Sequence, residues 1–207
     1  MRTILSFTML AALLVLITAC ESGAKFIVHN NCSYPAYAVV NSENQVIIPA
    51  HADHVFELDT KTQSLFTGEV KRKVAVNLRG ETFSLKDDYN LWTDGTEIEV
   101  HAGEDLHAYL NPNRACIKIT NNTNRKITDA TIIKNDGLIP SPYAVIENIL
   151  PGETKFMRVD YYTPNDQFFY NVEVKDEAGN TYTYGDASTT MLLVDEQYHI
   201  EYSDTIQ

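Results

Sequence analysis

Apolar and polar residues alternate with a period of two along much of the chain. Clear examples are residues 97–101 (EIEVH), 117–120 (IKIT) and 172–175 (VEVK), in which every second side chain is apolar. This alternation is typical of β-strands that bury one face and expose the other. Turn-forming dipeptides, such as those at 79–80 (RG) and 151–152 (PG), separate the apolar stretches. Beyond the N-terminal region no segment has the apolar repeat of an amphipathic helix, so the pattern predicts an all-β protein.

The order of these predicted strands is repeated within the chain. Residues 25–33 (KFIVHNNCS) and 116–124 (CIKITNNTN) place apolar residues and an Asn-Asn pair at matching positions. Two further pairs of segments recur in the same order, 47–59 with 149–160 and 74–85 with 172–184. Three recurring segments in a constant order indicate that a unit of about 90 residues is duplicated.

Each repeat contains about seven or eight short strands, which must cover their apolar faces against one another in a sandwich. We therefore predict two tandem β-sandwich domains, at 25–113 and 114–207. The hairpin sequence VEVKDEAGNTYTY at 172–184 resembles a hairpin found in many bacterial immunoglobulin-like modules. The resemblance implies an immunoglobulin-like sandwich. It transfers no functional residues, because a fold alone does not define a function.

The N-terminal residues have the layout of a bacterial export signal. Arg2 supplies a positive charge, residues 4–17 are apolar apart from one serine and one threonine, and residues 18–19 are small. The apolar run is shorter than the about 20 residues that cross a bilayer as a helix. We therefore predict that residues 1–19 are cleaved as a signal peptide.

Residues 17–20 (ITAC) resemble the bacterial lipobox. The resemblance implies that acyl chains such as palmitate are attached to Cys20 and that residues 20–24 form a lipidated tether. Two or more acyl chains hold a protein stably on a membrane. The predicted location is the bacterial cell envelope, on the periplasmic or the outer surface of a membrane. The alternative is an ordinary secretory signal with an unrelated cysteine beside its cleavage site.

Net charge limits the partners that the mature chain can bind. Without residues 1–19 the chain carries 15 basic and 28 acidic side chains, a net charge of −13. Such a field repels polyanions, so a nucleic acid is not an expected partner. Anionic lipid headgroups are not attracted either, and contact with the membrane is expected through the lipid anchor.

Two cysteines remain after Cys20 is assigned to lipid attachment. Cys32 closes the first predicted strand of the first repeat, and Cys116 opens the first strand of the second repeat. They would meet if each repeat begins at one pole and ends at the other. In an oxidising compartment we predict a disulfide between them, with two free buried thiols as the alternative.

Residues that occur in only one repeat are freer to serve a function than residues that recur in both. Five of the six histidines lie in the first repeat, and four of them flank carboxylates: His51, His54, His101 and His107. They are weak candidates for a metal site, because their spacing matches no established ligand motif. Solvated loop histidines are the favoured interpretation, and neither a metal nor another cofactor is predicted.

The single tryptophan of the chain lies in a segment that is longer than its counterpart in the second repeat, residues 86–95 (KDDYNLWTDG). Trp92 and Tyr89, with Asp88 and Asp94 beside them, could stack on sugar rings and bind hydroxyl groups. Packing of the aromatic residues against the end of the sandwich is the favoured alternative. The carboxylate spacing does not fit an EF-hand calcium loop.

Residues 135–147 (NDGLIPSPYAVIE) are an insertion in the second repeat. A loop that faces a partner is one interpretation, and a flap over a sheet edge is the favoured one. The chain contains no nucleophile elbow, phosphate-binding loop or dinucleotide fingerprint, so we expect no enzyme activity. The predicted function is that of a non-catalytic, membrane-anchored envelope lipoprotein that presents two modules to a protein or envelope partner. The alternative is a glycan-binding surface lipoprotein that uses the loop around Trp92.

Overall fold

The computed structural model describes residues 23–60, 71–137 and 139–203. Within these residues the chain forms strands and no helix, which confirms the all-β prediction. We call residues 23–113 unit 1 and residues 114–203 unit 2. The strands of unit 1 are β1 Gly23–Asn30, β2 Ala36–Val40, β3 Val46–Ile48, β4 Asp53–Asp59, β5 Lys71–Gly80, β6 Leu85–Lys86, β7 Trp92–Thr93, β8 Gly95–His101 and β9 Asp105–Leu110. The strands of unit 2 are β10 Ala115–Asn121, β11 Ile127–Asn135, β12 Ser141–Ile149, β13 Thr154–Val159, β14 Phe169–Asp176, β15 Thr181–Tyr184 and β16 Gln197–Tyr202.

The two units share one sheet topology. Each has a three-stranded sheet, in the order β4-β1-β9 in unit 1 and β13-β10-β16 in unit 2. Each also has a four-stranded sheet, in the order β3-β2-β5-β8 or β12-β11-β14-β15. The duplication seen in the sequence therefore corresponds to seven strands of matching order. The hairpin of β6 and β7 has no counterpart in unit 2.

In both units the first strand runs parallel to the last. β1 pairs with β9 and β10 pairs with β16 in parallel, whereas all the other pairs are antiparallel. The chain consequently enters each unit at one pole and leaves it at the opposite pole. We call the region where unit 1 ends and unit 2 begins the joint, and the pole where β1 begins the tether pole.

Each unit closes its own core between its two sheets. In unit 1, Phe26 and Val28 of the three-stranded sheet belong to one buried cluster with Ala38 and Val74 of the four-stranded sheet. In unit 2 a second buried cluster contains Ile119 of the three-stranded sheet together with buried side chains of the four-stranded sheet. These side chains occupy the alternate apolar positions of the sequence, because successive residues of a strand point to opposite faces.

A recurring asparagine holds the turn after the first strand of each unit. The buried Asn30 amide donates to the carbonyl oxygens of Tyr34 and Ile48, and its side-chain oxygen accepts from the Cys32 backbone N–H at 3.1 Å. In unit 2, Asn121 donates to Arg125 and Ile149 and accepts from the Thr123 N–H, also at 3.1 Å. The first asparagine of the repeated Asn-Asn pair is thus structural, since it satisfies buried backbone groups that water cannot reach.

The insertion at 135–147 has a different structure from the one expected. Most of it belongs to β12, which pairs with β11, so it is neither a partner-facing loop nor a separate flap. β12 is an edge strand of its sheet, and Pro142 is tolerated there because an edge strand leaves alternate N–H groups without a ladder partner.

Residues 1–22 lie outside the described residues, and with them the predicted signal peptide, Cys20 and most of the tether at 20–24. In the part of the chain that the structure describes, there is no helix able to span a bilayer.

Candidate binding cleft at the joint

The chain segments that differ most between the two units meet at the joint. Unit 1 contributes residues 81–94, which connect β5 to β8 and contain the hairpin of β6 and β7. Unit 2 contributes the connections at 160–168 and 185–196, of which the second is longer than its counterpart at 102–104 in unit 1. These segments reach the joint because β5 ends there, and because β14 and β16 begin there.

The centre of the joint is a buried carboxylate. Only 1% of Glu81 is exposed to solvent. Its carboxylate accepts from the ammonium group of Lys118 at 2.9 and 3.1 Å, from the Gln197 amide, and from the Tyr37 hydroxyl at 3.2 Å. Burial and the neighbouring carboxylate raise the pKa of Tyr37, so its hydroxyl stays protonated and donates. A buried charge with this many partners fixes unit 2 against unit 1.

Two further polar links cross the joint. Arg158 of β13 donates two hydrogen bonds to the carboxylate of Asp94 and one to the carbonyl oxygen of Phe83 at 3.2 Å. Asp195 accepts from the Ser33 backbone N–H at 2.9 Å and from the Thr82 hydroxyl at 2.6 Å. Asp94 was expected to contact a ligand, but its carboxylate instead binds Arg158 and links the two units.

An open cleft of about 750 Å³ lies beside these links. Its volume is within the range of ligand sites, which is about 300–1,000 Å³. We call it the joint cleft, and its lining residues are Ser84, Leu85, Lys86, Trp92, Asn113, Arg114, Asp160, Tyr161, Thr163 and Asp166. The hairpin of β6 and β7 forms one wall, the linker between the units forms the floor, and the connection after β13 forms the other wall.

Trp92 is the main aromatic surface of the joint cleft. It is 49% exposed, so it does not plug the end of the sandwich as the favoured interpretation expected. Two cations lie over its indole ring: the Lys86 ammonium group at 4.7 Å from the ring centroid and the Arg114 guanidinium carbon at 5.0 Å. Lys86 is the cross-strand partner of Trp92 in the hairpin, which explains its position over the ring.

The opposite wall carries paired charges. Arg114 is only 11% exposed and donates to Asp160 at 3.0 Å and to the Tyr143 hydroxyl at 2.9 Å. The Lys134 ammonium group is 3.5 Å from the second Asp160 oxygen and 3.9 Å from Asp166. Asp160 and Asp166 are nevertheless partly exposed, so their carboxylates can still accept hydrogen bonds from a ligand.

The remaining predicted ligand residues lie at the tip of the hairpin, outside the lining of the cleft. Tyr89 is 84% exposed and Asp88 is exposed as well. The tip is shaped by Asp87, whose carboxylate accepts from the backbone N–H groups of Tyr89 and Leu91. Of the four residues proposed as one ligand site, Trp92 alone lines the joint cleft.

Both predicted disulfide partners lie at the joint, as separate thiols. Cys32 donates to the Leu110 carbonyl oxygen at 3.5 Å, and Cys116 accepts from the Gln197 amide at 3.7 Å. The structure records both as free and buried, so no bridge is formed in it, and the bridge stays a prediction. Burial is the main cause that raises the pKa of Cys32 to about 11 and that of Cys116 to about 12. Both groups are therefore neutral thiols at pH 7.

The four candidate metal ligands do not converge on one point. His54 is at the joint end of β4, where its ring contacts Phe56, whereas His101 ends β8 at the tether pole. His51 is exposed in the turn before β4. In the described residues, no group of three or more histidine, cysteine, aspartate or glutamate side chains has the geometry of a metal site.

His107 instead belongs to a hydrogen-bonded row across the three-stranded sheet of unit 1. The Nδ1 atom of His29 is 2.8 Å from the Asp53 carboxylate, and its Nε2 atom is 2.9 Å from Nδ1 of His107. The two rings are almost coplanar, with an angle of 4° between their planes. This separation leaves no space for an ion between the two nitrogens, because a zinc–nitrogen bond alone is about 2.0 Å long.

Sequence reasoning did not find Arg114, Asp160 or Tyr161. Asp160 matches Asp59 in the repeat, and a recurring residue was taken as structural. Arg114 and Tyr161 belong to no motif. Their position in the chain was the usable signal. If the first and last strands of each unit run parallel, the residues after unit 1 and the residues after β13 must lie at the joint.

No protein-family model and no curated protein sequence matches the chain. The chain is similar in structure to three solved bacterial proteins. A protein proposed to act in cell adhesion, from Bacteroides uniformis, has 9% identity and a TM-score of 0.36, with coverage of 89% of this chain and 94% of that one. The C-terminally truncated tip fimbrial protein of Porphyromonas gingivalis has 9% identity and a TM-score of 0.27, with coverage of 79% and 81%.

The third structure is the TIE protein of Bacillus anthracis, with 10% identity and a TM-score of 0.28. The match covers 87% of this chain and 33% of the Bacillus protein, so the chain spans about a third of that protein. These identities and TM-scores are too low to carry a function from any of the three proteins to this chain.

Proposed function

We propose that the protein is a non-catalytic envelope lipoprotein that binds a partner in the joint cleft. The observation that carries the proposal is an open cleft at the joint, one wall of which is a hairpin without a counterpart in unit 2. This hairpin, the linker and the connection after β13 surround the half-exposed indole of Trp92, although the seven strands of each unit follow one shared plan.

The predicted tether sets the orientation of this cleft. Cys20 precedes β1 by only a few residues, so acylation places the tether pole of unit 1 at the membrane. β1 extends for about 26 Å at the usual rise of a strand, so the joint cleft lies at the end of unit 1 away from the anchor. Mass spectrometry of the mature N-terminus is expected to find acyl groups on Cys20, and an N-terminus without acyl groups would contradict the anchor.

We also propose that residues 25–113 and 114–207 are two domains joined rigidly. The two separate buried clusters support two domains, and the Glu81 network supports the rigid joint. The linker is short, and both Asn113 and Arg114 donate backbone hydrogen bonds to Thr82.

Binding in the cleft is tested by photo-crosslinking in cells. Benzoylphenylalanine in place of Tyr161, in the wall of the cleft, is expected to capture an envelope component in one defined adduct. The matched control is the same replacement at Tyr109, which is also exposed but lies on the outer face of the three-stranded sheet. No adduct at Tyr161, or the same adduct at both positions, would overturn the proposal. Digestion of the adduct with a protease or a glycosidase distinguishes a protein from a glycan.

A glycan is the second candidate partner, and the environment of Trp92 favours it. An indole that is half-exposed beside partly exposed carboxylates offers both a stacking surface and hydrogen-bond acceptors. Because Trp92 is the sole tryptophan, its fluorescence reports on the cleft alone. We expect the emission of Trp92 to shift when a glycan is added. An unchanged emission across a broad panel of glycans would contradict glycan binding and favour a protein as the partner.

The disulfide between Cys32 and Cys116 remains a proposal that the topology supports. β1 and β9 run parallel, so Cys32 lies at the pole where the chain leaves for Cys116. A bridge would close a loop of about 84 residues and contribute roughly 4–5 kcal/mol in the entropy model. Titration of thiols in denatured, non-reduced protein is expected to find none from this pair, and two free thiols would disprove the bridge.

A further inference from the structure

We infer that the joint cleft selects glycans whose sugars carry a carboxylate, over neutral sugars of the same shape. The inference rests on the second proposed function, glycan binding at Trp92. It follows from a difference between the two cations that lie over the indole. A sugar that stacks on the ring can displace one of them but not the other.

Arg114 cannot leave the ring. It is largely buried and its guanidinium group is held by Asp160 and by the Tyr143 hydroxyl. Its side of the indole is therefore part of the fixed structure of the cleft. Lys86, in contrast, is exposed, and in the described part of the chain its ammonium group has no carboxylate partner. Lys86 is thus the cation that a stacking ligand can displace.

Displacement of Lys86 has a cost that depends on the ligand. A sugar that stacks on the indole removes the attraction between the ammonium group and the ring. A neutral sugar leaves the ammonium group with hydroxyl or water partners. A sugar carboxylate replaces the lost attraction with a charge-assisted hydrogen bond, which is about twice as strong as a neutral one. The same stacking geometry therefore favours the acidic sugar.

The opposite wall sets the orientation of the sugar. Asp160 and Asp166 are partly exposed and accept from hydroxyl groups, whereas a ligand carboxylate on this wall would have to compete with them for Arg114 and Lys134. The acidic group of the ligand is consequently directed towards β6, where Lys86 is located, and the hydroxyl groups towards the connection after β13. A ligand with several adjacent carboxylates gains one pairing with Lys86 and is repelled by the acidic mature chain, so the class is an oligosaccharide with a single carboxylate.

The test compares acids with their own esters. A glucuronate-containing oligosaccharide with a single carboxylate, and its methyl ester, are titrated into the full mature protein in detergent by calorimetry and by Trp92 fluorescence. We expect the acid to bind about fivefold more tightly than its ester, which is the upper end for one exposed ion pair. This preference should decrease as ionic strength is raised, since the exposed pair is screened by salt.

The variants separate the charge from the stacking surface. Lys86→Gln should reduce the ratio of acid to ester affinity to near one, and it should strengthen ester binding slightly because no ammonium group has to leave the ring. Lys86→Arg should restore the preference. Lys175→Gln, an exposed lysine on β14 far from the cleft, is the matched control and should change nothing. Trp92→Ala should abolish binding of both ligands by calorimetry.

The possible failures are distinguishable. Equal affinity of the wild-type protein for acid and ester would overturn the selectivity and leave glycan binding in place. A preference that survives Lys86→Gln would overturn the role of Lys86. No binding of either form, with no change in Trp92 emission, would overturn glycan binding together with the inference that rests on it.

Discussion

Unit 1 and unit 2 share one plan of seven strands and differ mainly in the segments that meet at the joint. The shared part includes the parallel pairing of first and last strands and the asparagine that holds the first turn. The hairpin of β6 and β7 and the connection at 185–196 occur once each. The comparison teaches that the recurring strands and turns maintain the fold. The joint and the cleft combine residues without a counterpart, such as Trp92, with recurring ones, such as Asp160.

The strongest test of this distinction is the buried carboxylate at the joint. Glu81→Gln removes the charge that Lys118 and Gln197 require, and loss of one partner of a buried pair costs about 3 kcal/mol. Glu177 follows β14 as Glu81 follows β5, but it is exposed, so Glu177→Gln should cost less than about 0.5 kcal/mol. Denaturant unfolding measures both variants. Equal costs would show that the joint does not depend on the Glu81 charge.

The recurring asparagines should behave alike. Asn30→Ala and Asn121→Ala each leave buried backbone carbonyl groups without a donor, which costs about 2 kcal/mol in either unit. The measurement is again the free energy of unfolding, with Asn122→Ala as a control at the neighbouring exposed position. A large cost in one unit only would mean that the two turns are not equivalent.

A residue exchanged between equivalent positions should be tolerated. Cys32 occupies the place in unit 1 that Thr123 occupies in unit 2, where the threonine hydroxyl bonds to Asn121 and to the Arg125 carbonyl oxygen. In the presence of a reductant, Cys32→Thr is expected to change the free energy of unfolding by less than about 1 kcal/mol. A greater loss would show that the surroundings of Cys32 have diverged from those of Thr123.

The smallest effect is expected on the outer face of the three-stranded sheets. His29 lies opposite Asp53 in unit 1, and Thr120 lies opposite Thr154 in the same row of unit 2. His29→Thr removes the hydrogen bonds of this row at the sheet surface and should cost about 0.5 kcal/mol, because the Asp53 carboxylate is largely exposed and water can replace its partner. Thermal unfolding measures the change. A loss several times larger would mean that the histidine row stabilises unit 1 in a way that unit 2 does not need.

The sequence predicted the strands and the repeat well because both depend on local patterns. Val172 and Val174 are buried and Glu173 is exposed, as the alternation indicated. The poles of Cys32 and Cys116 also followed from strand order. The contacts of residues that occur in only one unit could not be predicted, because their partners are distant in the chain. Asp94 was grouped with Trp92, yet its partner Arg158 is in unit 2.

The interpretation of Trp92 as an end cap failed for a related reason. A single tryptophan in an inserted segment can pack inward or face a cleft, and the choice depends on residues that come from elsewhere in the chain. Arg114, from the linker, lies over the Trp92 ring. Phe83 is a buried aromatic side chain of the connection after β5, and its ring lies against Gly80. Phe83 therefore takes the packing role that the sequence analysis gave to Trp92.

The parallel pairing of the first and last strands also bears on how such a protein could evolve. A module that begins at one end and finishes at the other can be copied in tandem without reversing the direction of the chain. Each added copy lengthens the molecule and creates one new contact between neighbours, where unpaired insertions can accumulate. A binding surface can then arise between copies while each copy keeps its own interior unchanged.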